Sequence, residues 1–303
     1  MLFFIIPTGV DYRAQRYPVV TFTMMGLCIV VWVLETILRL SGNNEPEGES
    51  LVPWFFSTFG LVPADGRIFP WLTYMFVHGG FFHLLFNMIY LFLFGSCVED
   101  ILGRVRFTIF YVAGGVLAAL AQIAFTAAHF ESTIPLVGAS GAISACMGAF
   151  LPLFYKTRID FKWFLWIIFY IRVGEFSIKA WIVMSCWFLK DVAYAILSYD
   201  AGVGTAFAAH AGGWVSGLGA MFLFKLLLKR GVVRSAAQEA LEAGLREAGE
   251  PLVYVFDGEQ QTGPFPVSEL LERLRRGSLS AQAHYWREGM SEWRRISDLT
   301  QSG

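Results

Sequence analysis

The sequence predicts an all-α polytopic membrane protein, a six-helix bundle followed by a small α+β soluble domain. Three observations carry this. Hydrophobic residues make up 56% of the 303 residues, where about 45–50% is usual. Charged residues make up only 16%, against about 25%. The charges are also uneven: 28 fall in residues 1–230, but 19 crowd into residues 231–303. A soluble globule of this length cannot hide so much apolar surface, so lipid must serve as part of the solvent. The step in charge density separates a membrane part from a soluble tail. A net charge of −1 offers no basic excess, so nucleic acid is not an expected partner.

The predicted layout is a cytoplasmic segment at 1–18, a membrane domain at 19–230, a helical linker at 231–250 and a soluble domain at 251–303. About 20 apolar residues are needed to cross about 30 Å of hydrocarbon. The candidate spans are Val19–Leu40, Phe81–Cys97, Phe107–Ala128, Ser140–Tyr155, Phe176–Leu197 and Phe207–Leu228. The apolar run Phe161–Ile171 is too short to cross and carries Lys162 and Arg172 at its edges, so it is expected at the interface. Leu2–Ile6 is shorter still. With Arg13 and Arg16 ahead of a full-length first span, the N-terminal region reads as an anchor rather than a cleaved signal. Cys28, Cys97, Cys146 and Cys186 lie scattered in apolar stretches and are expected to be buried thiols.

Orientation follows from the Lys/Arg bias. The ends and even-numbered loops carry thirteen Lys and Arg, from Arg13 to Arg234, whereas the loops at 41–80, 129–139 and 198–206 hold only Arg67. Both termini are therefore expected in the cytoplasm. Lys156 and Arg158 hold the C-terminal end of the fourth span at that face. Its sixteen residues reach only about 24 Å, so its N-terminus at Ser140 should lie below the outer surface. Non-helical backbone at that depth, here Leu136–Ala139, requires surrounding protein or a water-filled cavity. Free N–H groups at such a helix start suit an anionic intermediate.

Polar groups within spans are functional candidates by default. His83 and Asn87 stand one helical turn apart at the start of the second span. Ser140 opens the fourth and His210 lies near the start of the sixth. Even-numbered spans all begin at the outer side, so these groups share one leaflet. Gly212, Gly213 and Gly217 read as small-residue packing that Gly141 and Gly148 on the fourth span can receive. That packing would bring Ser140 within reach of His210.

These residues resemble the rhomboid intramembrane serine proteases over about residues 1–230. The resemblance rests on Gly138-Ala139-Ser140-Gly141, on Ala209-His210 with Gly213 and Gly217, on His78, His83 and Asn87, and on the run Gly95, Glu99, Gly103. It implies a six-helix rhomboid bundle and a Ser–His dyad without an aspartate. Ser140 would be the nucleophile and His210 the general base and then acid. The Ser140 N–H with the Asn87 and His83 side chains would stabilise the oxyanion, and Gly138, Gly141, Gly213 and Gly217 would support the site. His78 is not expected to be catalytic. No metal or organic cofactor is implied. Two positions depart from the family pattern. Ser144 stands where an aromatic often packs on the catalytic histidine, and Phe69-Pro70 with Arg67 stands where an aromatic–Arg pair often precedes the threonine at Thr73.

In the tail, Ser235–Glu250 reads as an exposed helix with alternating charges. Val253–Phe256 is strand-like, Asp257-Gly258 is a turn signal, and Ser268–Arg276 is helical with Leu270, Leu271 and Leu274 on one face. Residues 251–299 resemble a GYF-like domain through Gly263-Pro264-Phe265, Glu269-Leu270, Tyr285-Trp286, Gly289-Met290 and Trp293. This implies a cytoplasmic peptide or protein partner bound through 251–303.

The expected function is intramembrane proteolysis of transmembrane protein substrates within the lipid bilayer. The compartment implied by the resemblance is a bacterial inner membrane. Residues Tyr199–Ala206, with Gly202 and Gly204 as flex points, and the outer half of the fifth span are expected to gate the cavity. Lys190 and Asp191, unusual inside a span, should snorkel, pair or face water. The alternative is a rhomboid-like protein that binds membrane clients without cutting, against which an intact Ser140 and His210 weigh. A transporter ranks third, since the chain has no internal repeat and no paired broken helices.

Overall fold

The computed structural model describes residues 2–12, 14–41, 51–62, 65–127, 134–167, 170–197, 206–229, 252–258, 260–275, 278–280 and 282–300. The chain divides into two compact units, Met1–Val233 and Arg234–Gly303. The expected linker helix Ser235–Glu250 and most of the expected gate loop lie outside the described residues.

Five helices of the first unit are long and apolar enough to cross a membrane: α1 (Val19–Ser41), α4 (Phe81–Leu102), α5 (Arg104–Ala127), α7 (Ala180–Leu197) and α8 (Phe207–Lys229). The fourth expected span, α6 (Ser140–Phe154), has 15 residues and a length of about 22 Å, short of a full crossing. Short helices α2 (Leu51–Phe59) and α3 (Pro70–Thr73) lie between α1 and α4. These helices make the protein a multi-pass membrane protein.

The bundle is built around α6. Ala142, Ala145, Cys146, Ala149 and Phe150 are all fully buried, as befits a helix apolar on every side. Small residues let its neighbours come close. A side chain on Gly213 would strike the Gly141 carbonyl, one on Gly217 the Ala145 carbonyl, and one on Gly148 the Trp214 carbonyl. Gly212 instead faces Ala121 of α5, so it serves the contact between α5 and α8.

The start of α1 is held by α4. Helix N-termini leave unsatisfied N–H groups, and here the buried Glu99 carboxylate accepts from Val20 N at 2.9 Å, Thr21 N at 2.8 Å and the Thr21 hydroxyl at 2.7 Å. Asp100 beside it accepts from Gln15 N and Arg16 N at 3.1 and 3.0 Å and from the Tyr12 hydroxyl. Glycine permits the turn that follows, since Gly103 has φ +78°.

One element was not expected. Strands β1 (Leu2–Val10), β2 (Arg158–Ile167) and β3 (Tyr170–Lys179) form an antiparallel sheet in that order. The run Phe161–Ile171 is thus the end of a β-hairpin, and Leu2–Ile6 is part of its partner strand. Aromatic and β-branched residues suit strands, and the hairpin gains a third strand from the distant N-terminus, with Phe4 opposite Phe164. Phe176–Lys179 pair within this sheet, so the fifth span starts at Ala180 rather than Phe176. Cys28, Cys97 and Cys146 are buried as expected, but Cys186 is exposed because it lies on a face of α7 that no other described part of the chain covers.

In the second unit, β4 (Leu252–Phe256), β5 (Gln261–Pro266), β6 (His284–Arg287) and β7 (Arg294–Arg295) form a sheet ordered β5-β4-β6-β7. Helix α9 (Val267–Arg275) contributes Leu270 to a core with Val253, Val255, Ala283, Tyr285 and Ile296. Leu274 packs against that core, while Leu271 is only partly buried. The alternation along β4 puts Tyr254 against Trp286, ring centroids 5.9 Å apart, and Phe256 against Trp293 at 6.2 Å.

Candidate active site

Ser140 is the first residue of α6, so its backbone N–H belongs to the unsatisfied set at a helix start. The segment before it is tied down on both sides. Leu136 exchanges backbone hydrogen bonds with Leu61 at 2.8 and 2.9 Å, and Gly138 N donates to the Tyr74 carbonyl at 2.9 Å. Gly138 has φ +113°, and a Cβ there would sit 2.8 Å from the His83 ring. Both the turn and the close approach therefore require glycine.

His210 stands in the first turn of α8. Its Nε2 lies 2.9 Å from Ser140 Oγ, within hydrogen-bond range. Gln122 of α5 steadies that turn by accepting from Ala209 N at 3.1 Å. The other ring nitrogen, Nδ1, lies 3.6 Å from Asp191 Oδ1 of α7, and Lys190 Nζ lies 2.9 Å from the same oxygen. Ser144 offers the His210 ring no stacking surface. The ring instead has the edge-on ring of Phe207, 6.2 Å away on its own helix.

Asn87 and His83 line the same cavity as Ser140 and His210, a space of about 580 Å³. Asn87 Nδ2 donates to the His83 carbonyl at 2.9 Å. Trp187, Lys190 and Asp191 close the α7 side. His78 lies behind this wall. It is fully buried, its ring meets that of His83 edge-on at 5.2 Å, and its Nδ1 lies 3.1 Å from the Phe76 carbonyl. Burial, helped by the neighbouring His83, pushes its pKa down to about 4, so the ring stays neutral and backs His83.

In the loop between α1 and α4, Arg67 and Phe69 lie together. The Arg67 guanidinium lies 5.5 Å from the Phe69 ring and donates to the Ser57 carbonyl at 2.5 Å. Thr73 then donates its hydroxyl to the Phe59 carbonyl at 2.8 Å, linking α2 to α3.

All the expected polar groups thus meet at one cavity, and Asp191 joins them beside His210, where no role in the site was foreseen for it. The sequence carried a signal for this: Asp191 lies near the C-terminal end of an odd-numbered span, which shares the leaflet in which His210 begins an even-numbered one.

Residues 65–226 match the Rhomboid domain family, and residues 254–301 match GYF domain 2. The rhomboid protease GluP of Bacillus subtilis (strain 168) is 34% identical over 141 residues, covering 46% of this chain and 26% of GluP. The rhomboid protease GlpG of Yersinia pestis (strain Pestoides F) is 26% identical over 136 residues, covering 45% of this chain and 43% of GlpG. The matches span less than two thirds of the length of these curated relatives. Because the Rhomboid domain match extends over more than half of the 303 residues, the chain belongs to the rhomboid family.

Proposed function

We propose that the protein is an intramembrane serine endopeptidase that cleaves peptide bonds in or near transmembrane segments of its substrates. The observation that carries this is the 2.9 Å contact between His210 Nε2 and Ser140 Oγ at the wall of the cavity. A serine hydroxyl is a weak nucleophile unless a base takes its proton. As Ser140 Oγ attacks the scissile carbonyl carbon, its proton moves to His210 Nε2 and the carbonyl electron pair moves to oxygen. The Ser140 N–H, with the Asn87 and His83 side chains on the same cavity, would meet that charge. Loss of one such donor typically costs about 10²–10³ in rate. When the C–N bond breaks, Nε2–H protonates the leaving amine. Water, deprotonated by the same nitrogen, then attacks the acyl carbon, the C–Oγ bond breaks, and the Nε2 proton returns to Ser140 Oγ.

The Lys/Arg bias orients both termini toward the cytoplasm and the site toward the outer leaflet of a bacterial inner membrane. In that topology the C-terminal domain faces the cytoplasm, where its Tyr254–Trp286 and Phe256–Trp293 pairs suit an extended or proline-rich peptide.

The test is labelling of purified protein by a fluorescent fluorophosphonate. Wild type should label covalently, whereas Ser140→Ala should not and His210→Ala should label far more slowly. Equal labelling of Ser140→Ala and wild type would reject the assignment.

A further inference from the structure

Resting on the protease reading, we propose that Asp191 is a positioning residue for His210, its carboxylate accepting the Nδ1–H so that Nε2 is left free to take the Ser140 proton. The two ring nitrogens of His210 point in different directions and each finds its own partner: Ser140 Oγ at 2.9 Å from Nε2 and Asp191 Oδ1 at 3.6 Å from Nδ1. Three helices supply the three groups, with Ser140 on α6, His210 on α8 and Asp191 on α7.

Asp191 is only 9% exposed, and its Oδ1 is shielded from solvent without a well-formed hydrogen bond. A buried carboxylate oxygen in that condition calls for a donor. Lys190 brings positive charge to the same oxygen, but it is the adjacent residue and its side chain is half exposed. A pair with the half-exposed neighbouring residue does not by itself require Asp191 to be buried beside the imidazole. A gap of 3.6 Å exceeds a hydrogen bond, and catalytic hydrogen bonds commonly tighten only when substrate binds.

The arrangement gives the ring what Ser144 does not. Ser144 is too small to hold an imidazole plane by stacking, and Phe207 touches only an edge. Asp191 fixes the tautomer instead. During acylation the Ser140 proton passes to Nε2, the Oγ–C bond forms and the Nδ1–H proton stays on the ring. The carboxylate balances the imidazolium without itself becoming protonated. When Nε2 gives its proton to the leaving amine, the ring returns to the same tautomer.

The test uses the full-length protein in detergent, with dye-labelled casein as the cleaved probe. Asp191→Asn should lower kcat about 10²-fold, as a misplaced base does, with KM within about twofold, and Asp191→Glu should recover at least about tenfold of that loss. Proton spectra of the fluorophosphonate-labelled protein, in which the occupied site draws the hydrogen bond tight, supply a readout that needs no turnover. Wild type should show a downfield Nδ1–H resonance, assigned by its loss in His210→Ala, and Asp191→Asn should lose it while keeping its thermal midpoint. A kcat for Asp191→Asn within threefold of wild type would overturn the proposal. So would equal loss in the Asn and Glu variants with the resonance unchanged. If Asp191→Asn fails to fold, absence of the resonance from wild type still overturns it. Failure of the protease reading looks different: Ser140→Ala would keep cleaving casein whatever the proton spectrum showed.

Discussion

Gly217 of α8 faces the Ala145 carbonyl of α6 with no room between them for a β-carbon. Seven residues earlier on the same helix, His210 reaches Ser140 Oγ. The backbone contact and the His210–Ser140 contact are therefore two points on one helix pair, and the first sets the spacing of the second. Gly217→Ala must push the helices apart, because the obstacle is backbone rather than a flexible side chain. A misplacement of about 1 Å can cost about 10²-fold in rate, while overpacking costs about 1–3 kcal/mol. Gly217→Ala should lose cleavage far out of proportion to its loss of stability. Gly219, whose added β-carbon meets nothing, supplies the control: Gly219→Ala should be close to wild type in both. Comparable activity in the two variants, measured with their unfolding midpoints in mixed micelles, would sever the link.

Much of this was legible because lipid imposes strong rules. Hydropathy located the helices, and the shortness of α6 was already apparent from counting residues between Ser140 and Lys156. The glycines of α8 signalled close packing, although the sequence could not say that Gly212 turns to α5 while Gly213 turns to α6. The β1–β2–β3 sheet was hidden for a different reason. Leu2–Val10 and Arg158–Ile167 are separated by more than half of the membrane unit, and long-range strand pairing leaves little local trace beyond short apolar runs. Asp191 escaped because its meaning is relational: an aspartate in a span acquires a role only once α7 is seen to bring it to Nδ1 of His210.

Ser140 and His210 should behave as a unit. Each single alanine substitution should remove nearly all cleavage of a membrane-embedded model substrate. The double variant should be little worse than either, because once one member is lost the other has nothing to act through. Rates that multiply across the two single variants would mean that the residues act independently.

Glu99 should matter for assembly rather than chemistry. Its buried carboxylate accepts three hydrogen bonds at the start of α1, and hydrogen bonds to a charged group contribute about 1.5–3 kcal/mol each to stability. Glu99→Ala should therefore destabilise the bundle by roughly 3 kcal/mol, with part of the loss recovered by water entering the site. Denaturation by sodium dodecyl sulfate in mixed micelles measures this. A midpoint equal to wild type would show that α1 does not depend on the cap.

The C-terminal unit should be dispensable for the chemistry. Truncation after Arg234 removes all of it but that first residue and none of the groups that line the cavity. Casein cleavage in detergent should stay within about twofold of full length, while a proline-rich peptide array should lose all binding. Loss of cleavage by a truncated protein that still unfolds cooperatively would make the tail part of the catalytic apparatus.

Substrate entry should require α7 to move away from α4. Tyr90 of α4 and Trp187 of α7 meet edge to face with centroids 5.0 Å apart, and both line the cavity. Trp187 also packs edge-on against Phe94 at 6.0 Å, so the two helices are joined by aromatic contacts worth about 0.5–1.5 kcal/mol each beyond the area they bury. A barrier of that size can be crossed on the time scale of lid opening. Cysteines at positions 90 and 187, joined by a short bis-thiol reagent in a background with Cys186→Ser, should abolish cleavage of a membrane-embedded substrate. Fluorophosphonate labelling of Ser140, which needs only a small molecule to reach the serine from water, should be retained. Trp187→Ala should act in the opposite sense and raise turnover of the membrane substrate. Unchanged turnover in the cross-linked protein would rule out entry between these helices, and loss of fluorophosphonate labelling would show that the tether had distorted the site instead of closing a gate.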